Sequence, residues 1–418
     1  MKKLKSWIDI SPESDFSIYN IPFGIYKNEK TEHATATAIG NWVVNLHALH
    51  EGGYFNGIDL PENIFQDQYL NKFIGLGKPI TNAVRLKLQS LFEEGSKLQE
   101  DIATRHKAFV PANDTTMLMP VKPENYTDFY SSIEHATNVG TMFRDPDNAL
   151  LPNWKHLPVG YHGRASSIVE SGVPIHRPKG QTKAPDADKP SFGPSKRLDF
   201  ELEMAFITGK ETPLGQPVAA ENAEDHIFGF VIFNDWSARD IQVWEYVPLG
   251  PFLAKNFASS ISPWIVTLEA LEPFRVPSPK QDPEVLDYLK ISGNKNFDIK
   301  LDVFVQPDGE EPHLVTQSNF KHMYWNINQQ LAHQTSNGCN LQVADFYASG
   351  TISGPTPGSY GSMLELAWKG TKPIQMPDGS TRTFIEDGDT VIMQGHCEKE
   401  GKRVGFGEVS SRILPALS

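Results

Sequence analysis

Three stretches of this sequence gather side chains that could do chemistry. In Asp199-Phe200-Glu201-Leu202-Glu203-Met204-Ala205-Phe206, apolar residues at 200, 202, 204 and 206 alternate with acids at 199, 201 and 203. That is the period of a strand, so the acids share one face. The carboxylates of Glu201 and Glu203, roughly 7 Å apart at Cβ, repel one another unless positive charge lies between them. A divalent cation meets that need; a strand face open to water meets it as well. The second stretch is an apolar run, Phe228 to Phe233, that ends at Asn234-Asp235. It predicts a buried strand followed at once by a helix with Asp235 as N-cap. Arg239, Gln242 and Tyr246 then lie on the helical face of Asp235. This fits a site at a strand-to-helix junction, or simply a capped helix with an Asp–Arg pair. The third stretch runs from Tyr126 to Ala136, with Arg144 beyond. Here Asp128 is placed to cap a helix that presents His135. A histidine needs a partner to act as a base, and Glu365 is a candidate. It lies among Met363, Leu364 and Leu366, where a carboxylate needs a hydrogen-bond partner. The sequence does not show whether the two meet.

What positions these residues is a chain of mostly short strands. The first ~110 residues alternate brief β-type runs, Gly24–Tyr26 and Ala38–Val44, with turns. An amphipathic helix is predicted over 82–107, on Val84, Leu86, Leu88, Leu91, Phe92 and Leu98. Pro111, Pro120 and Pro123 punctuate a polar segment at 112–116 that reads as a linker. The division is therefore expected at 1–119 and 120–418. Strands are predicted at 198–206, 228–233, 301–305 and 389–393, and the proline-rich stretch 172–194 reads as a long surface loop. The class is a β-rich mixed α+β fold.

Composition narrows the chemistry. The chain has 418 residues and a formal net charge of −13, whose field repels phosphate and argues against nucleic acid as a partner. Two cysteines, Cys339 and Cys397, are too few for a disulfide framework and favour a reducing compartment. The lysine-rich N-terminus lacks the apolar run of a signal peptide, and Ile227–Phe233 is far too short to span a bilayer, so a cytoplasmic protein without a membrane partner is expected. The serine-hydrolase elbow, the phosphate-binding loop, HExxH and paired CxxC motifs are all missing.

Read in order, the motifs resemble the fumarylacetoacetate hydrolase family over essentially the whole chain. The resemblance rests on Tyr126–Ser132, His135–Gly140, Leu150–Trp154, Leu157–Ser167, Glu201–Phe206, Asn234–Gln242, Ser262–Trp264, Ala348–Gly354, Gly361–Leu366 and Arg403–Gly407. The long match from Tyr126 to Ser167 sets the chain apart from shorter relatives that share only the acidic motif. The resemblance implies an N-terminal SH3-like barrel, a C-terminal β-roll and a homodimer. It implies a Ca²⁺ or Mg²⁺ site at Asp128, Glu201, Glu203 and Asp235, an all-oxygen set suited to a hard cation. His135 would be the general base, oriented by Glu365, with Arg239, Gln242 and Lys255 stabilising an oxyanion. Tyr130, Arg144, Gln242, Tyr246 and Thr351 would contact the substrate. The implied reaction is hydrolysis of a carbon–carbon bond in a β-diketone, 4-fumarylacetoacetate, in tyrosine and phenylalanine breakdown. His135 would activate water, and a divalent ion would supply Lewis-acid stabilisation of the enolate. A related 2-oxo-acid or β-diketone hydrolase and a non-catalytic cation-binding dimer are the alternatives. One departure concerns a second Mg²⁺ site, implied at Lys255 and Ser259. The family's Gly-Thr is Ala258-Ser259 here, which keeps the hydroxyl but adds a Cβ where the backbone could want a positive φ.

Overall fold

The computed structural model describes residues 4–144 and 146–418; the first three residues of the basic N-terminus lie outside them. Its centre is a mixed sheet. Along its main path the strands run Gly160–His162, Tyr126–Phe129, Phe346–Ala348, Leu202–Thr208, Ile227–Asp235, Ser259–Ile261 and Ile168–Glu170. Every residue of Ile227–Asp235 is buried. A strand covered on both faces needs no polar alternation, which explains its continuous apolar run. Leu202, Met204, Phe206, Phe230 and Ile232 enter one core. Ala205, Ile207, Val231 and Phe233 enter another.

The first core is closed by a five-stranded sheet ordered His313–Asn319, Lys300–Gln306, Thr390–Lys399, Lys402–Leu414 and Ile175–His176, through Leu301, Val303, Met393 and Phe406. The second is closed by the N-terminal unit, through Phe23, Ile25, Leu46, Phe73 and Leu88. That unit carries its own five-stranded sheet, ordered Phe109–Pro111, Trp42–Asn45, Thr31–Ile39, Gly24–Asn28 and Thr116–Leu118. The protein is thus β-rich and mixed α/β, with the central sheet sandwiched between two layers.

Several sequence expectations are corrected by this architecture. The run 38–44 is not one strand: it folds back at Gly40, whose φ of 54° is open to glycine at little cost. The predicted helix over 82–107 begins at Lys78 and stops at Phe92; two short helices, Lys97–Glu100 and Ile102–Ala108, follow the left-handed Gly95. The segment at 112–116 is no free linker, because its flanks pair with Trp42–Asn45 and Gly24–Asn28. The stretch 172–194 is not one loop. It contains the hairpin Lys179–Thr182 and Ser191–Pro194, and Gly180 passes so close to Ile241 that a Cβ there would lie 2.6 Å from its Cδ1.

Candidate active site and metal centre

Strand parity assembles the acidic cluster. Glu201 and Glu203 point to the side of the central sheet taken by Ala205 and Ile207, Asp235 to that of Val231 and Phe233, and Asp128 to that of Tyr126. All four are buried, and each offers an oxygen within 4.8 Å of the others. The sequence left a water-exposed strand face open; the structure rules it out. Asp199 departs from the cluster: it accepts from Arg239 Nε at 2.8 Å and from the backbone N–H groups of Met363 and Leu364.

Two expected caps are also corrected. Asp235 does not cap the following helix, which spans Arg239–Glu245 and has Ala238 as N-cap with no side-chain bond. Its carboxylate is engaged instead by Tyr161 Oη at 2.9 Å, Lys255 Nζ at 2.8 Å and Ser259 Oγ at 3.1 Å. Asp128 lies inside a strand; the helix Ile133–Phe143 is capped by Ser132, whose Oγ accepts from the His135 N–H. In both cases a carboxylate that the local sequence offers to the backbone is claimed by the cluster.

The electrostatics describe a site short of positive charge. Burial, and then the neighbouring Asp235, push the Asp128 carboxyl well above the usual range. Burial followed by Asp128, Glu201 and Asp235 does the same to Glu203. Glu201 goes the other way: burial opposes its charge, but Lys255 and Arg239 outweigh burial and hold it low. Lys255 bridges Glu201 and Asp235, and Arg239 Nη1 lies 2.8 Å from Glu201. Two oxygens, Asp128 Oδ1 and Glu203 Oε1, are buried with no hydrogen-bond partner among the described residues. Unpartnered buried oxygens in an all-carboxylate nest fit a hard divalent cation.

The structure brings His135 and Glu365 together across 230 residues: Nδ1 lies 2.7 Å from Oε2, with both residues buried. Burial raises the proton affinity of Glu365, but His135, Asn138 and Ser362 outweigh it and hold the carboxyl low. With Nδ1 bound to a carboxylate, Nε2 is left to take a proton. Tyr130 packs its ring edge-on to His135, with centroids 5.3 Å apart, and its phenol feels Glu365, Glu201, Arg144 and Arg239. Gln242 Oε1 accepts from Arg239 Nη1 at 3.2 Å, and Arg239 Nη2 is buried without a hydrogen-bond partner among the described residues. Thr351 is buried. Arg144 is turned outward and donates to the Ala149 carbonyl at 2.6 Å, while Tyr246 ends its helix half exposed. Ser259 and Lys255 both hold Asp235, so they adjoin the four-carboxylate nest. Ala258 is buried and does not belong to the positive-φ residues, so its Cβ sits on ordinary backbone, contrary to the expectation of strain there.

Sequence reasoning missed several residues that complete the site. Tyr126 Oη donates to Asp128 Oδ2 at 2.9 Å, and Tyr161 Oη lies 3.0 Å from the same atom. Strand parity around Asp128 could have revealed Tyr126; nothing local reveals Tyr161, which arrives on a neighbouring strand. Asn138, Ser353 and Ser362 surround Glu365. Of these, Asn138 alone had a signal, sitting one turn after His135. Gly350 donates its N–H to Glu203 Oε2 at 2.9 Å from a φ of 78°, and a Cβ there would lie 2.2 Å from the Phe129 carbonyl oxygen. Gly350→Ala is therefore expected to cost at least about 2 kcal/mol, read as a lowered midpoint in denaturant.

Comparison with known proteins agrees with this geometry. The family model described as fumarylacetoacetate (FAA) hydrolase C-terminal matches residues 124–413, and that described as fumarylacetoacetase N-terminal matches 19–120. The chain is 51% identical to a fumarylacetoacetase of Dictyostelium discoideum over 100% of its own length and 99% of the relative's. It is 50% identical to that of Rattus norvegicus, covering 99% of each chain, and 49% identical to that of Arabidopsis thaliana, covering 100% of each. Among solved structures, a fumarylacetoacetate hydrolase from psychrophilic Exiguobacterium antarcticum shares the fold at a TM-score of 0.53 and 18% identity, over 94% of this chain and 99% of that one. Half-identical over its full length to these relatives, and matched by both family models, the chain belongs to the fumarylacetoacetate hydrolase family.

Proposed function

We propose that the protein hydrolyses the carbon–carbon bond of 4-fumarylacetoacetate, giving fumarate and acetoacetate, in the breakdown of tyrosine and phenylalanine. The observation that carries this reading is the buried His135–Glu365 pair beside a four-carboxylate nest, in a chain half-identical to fumarylacetoacetases over its full length. His135 Nε2 takes a proton from water, and Glu365 stabilises the imidazolium that forms. The activated water attacks the ketone carbon, and a tetrahedral oxyanion develops. Arg239 offers it a buried, unpartnered Nη2, with Lys255 and Gln242 alongside. Collapse breaks the carbon–carbon bond, and the imidazolium can return its proton to the carbanion. Tyr130, Arg144, Gln242, Tyr246 and Thr351 orient the dianionic substrate, drawn in by arginine and lysine against the overall negative field. Asp128, Glu201, Glu203 and Asp235 would hold Ca²⁺ or Mg²⁺, which supplies Lewis-acid stabilisation of developing negative charge. Lys255 and Ser259 are our candidates for a second Mg²⁺. The test is a spectrophotometric assay on fumarylacetoacetate, with EDTA and with Ca²⁺ or Mg²⁺ restored. Absence of cleavage with either metal present overturns the proposal.

We also read 1–119 as an SH3-like barrel and 120–418 as a β-roll. The five-stranded sheet of the first unit and the two packed sheets of the second support this. The cytoplasm is the compartment we assign, on two unpaired thiols. The working form is a homodimer. Its support is an apolar surface on and after the helix Arg239–Glu245, where Val243, Trp244, Val247, Leu249, Phe252 and Leu253 are exposed, Leu249 at 96%. A concentration of this kind marks an interface more often than bare surface. Leu249→Asp with Phe252→Asp is expected to convert a dimer into a monomer in sedimentation velocity, and an unchanged sedimentation coefficient removes this face from the interface.

A further inference from the structure

Glu365 receives more donors than its role opposite His135 requires. Besides His135 Nδ1, Asn138 Nδ2 donates to Oε1 at 2.9 Å, Ser353 Oγ lies 2.9 Å from both oxygens, and Ser362 Oγ donates to Oε2 at 2.9 Å. Ser362 is the N-cap of the short helix Met363–Leu366, so it has a structural task already. The other two do not cap that helix. Asn138 follows His135 by one turn and lines a cavity of about 220 Å³ with Glu134, Gly354 and Tyr360. Ser353 is buried and touches both halves of the pair. Its hydroxyl faces Glu365, while its carbonyl accepts from Ser132 Oγ at 3.1 Å, the atom that in turn accepts the His135 N–H.

The consequence follows from charge sharing. A carboxylate stabilised by several neutral donors offers less negative charge to any one of them. Each donor removed leaves more for the imidazolium. We propose that Asn138 and Ser353 are positioning residues that act through Glu365, setting how tightly His135 holds its proton. This rests on the role given to the His135–Glu365 pair above. The other ionisable groups facing the pair are Tyr130, Glu134 and Tyr360, which feel Glu365, and Glu201, which feels His135. Of these, Tyr360 also hydrogen-bonds Asn138, so the Ser353 variants give the comparison in which that bond stays in place.

The test reads the pair with and without substrate. In ¹⁵N-histidine-labelled, Ca²⁺-loaded protein, with His135→Ala to assign the signal, Asn138→Ala and Ser353→Ala are each expected to move the protonation midpoint of the pair up by about half a pH unit. The acidic limb of kcat/KM should move with it, with KM unchanged. Ser353→Thr, which restores a hydroxyl, should bring the midpoint back toward wild type. A structural role alone would lower the melting temperature and leave both midpoints in place. Midpoints within about 0.1 of wild type in the folded variants, or a downward move, overturn the proposal. If Ser353→Ala does not fold, Asn138→Ala decides by itself, since its side chain borders a cavity rather than packed core. Because the NMR midpoint needs no substrate, a shifted midpoint in a protein that fails to cleave fumarylacetoacetate would overturn the assigned activity and leave this inference standing.

Discussion

His135→Ala is expected to keep its full complement of divalent metal and to lose kcat by about 10³–10⁴-fold. The two halves of that result come from different parts of the site. The metal is assigned to Asp128, Glu201, Glu203 and Asp235, and His135 is not among them. The catalytic loss is that of a general base, since His135 is the imidazole bonded to Glu365 among the described residues. Alanine also takes the Nδ1 partner from the buried Glu365, and a buried charge that loses a hydrogen-bond partner destabilises a fold. His135→Asn separates the two effects. Its amide nitrogen stands near the place of Nδ1 and can still donate to Glu365, but it cannot accept a proton from water. Turnover should fall by the same order in the asparagine variant while the melting temperature stays closer to wild type. Metal content by atomic emission and single-turnover rates check both. A His135→Asn protein with wild-type turnover would remove His135 from the chemistry.

The second large effect concerns the metal-free protein, where the sign runs against intuition. Asp128 and Glu203 have folded-state proton affinities raised well above their ordinary values, chiefly by burial and then by neighbouring carboxylates. A carboxyl shifted in that direction contributes stability that is present below its unfolded pKa of about 4 and is lost as pH rises through the folded value. Without metal, therefore, these two groups destabilise the fold progressively toward neutral pH and above. Metal binding needs the deprotonated acids, so it strengthens over the same range. The gap in melting temperature between Ca²⁺-loaded and EDTA-treated protein should widen from pH 5.5 to pH 8. At a thousandfold excess over Kd the ion adds about 4 kcal/mol. Glu201 and Glu365 are shifted downward, so their contribution is lost only as pH falls through their low folded values, below the range compared here.

Asp128→Asn makes the point directly. Its amide oxygen can occupy the place of Oδ2, which accepts from Tyr126 and Tyr161. Its nitrogen then replaces the orphaned Oδ1 and can donate to the neighbouring carboxylates. In EDTA at pH 8 the variant should be more stable than wild type, by on the order of 2 kcal/mol, while losing both the Ca²⁺-induced rise in melting temperature and activity. Differential scanning calorimetry with and without Ca²⁺ decides. A variant that melts below wild type in EDTA, or still responds to Ca²⁺, would mean the nest is not short of positive charge as described.

How much of this was legible in the sequence depended on the range of the interaction. The alternation in 199–206 put Glu201 and Glu203 on one face, and the apolar run before Asp235 announced a buried strand; both are period-2 patterns set by local backbone geometry. Local reasoning failed where long-range partners competed for the same group. Asp128 and Asp235 are good caps by type, yet each accepts from the hydroxyl of Tyr161, which comes from elsewhere in the chain. The hairpin within 172–194 was hidden by prolines and glycines that read as loop, because what fixes it is the approach of Gly180 to Ile241.

By itself the sequence determined the β-rich class, the acidic residues that share strand faces, and, through ordered motifs along the whole chain, the family. Only the tertiary structure decided that four carboxylates meet in one nest, because Asp128 reaches Glu203 and Asp235 through the parallel pairing of Tyr126–Phe129 with Phe346–Ala348. It alone decided that Glu365 finds His135, that Asn138 and Ser353 share the charge between them, and that the acidic strand face is closed to water. The physical reason is the same in each case. Side-chain period is written in neighbouring residues, whereas burial, charge pairing and proton affinity are set by whatever the fold brings alongside.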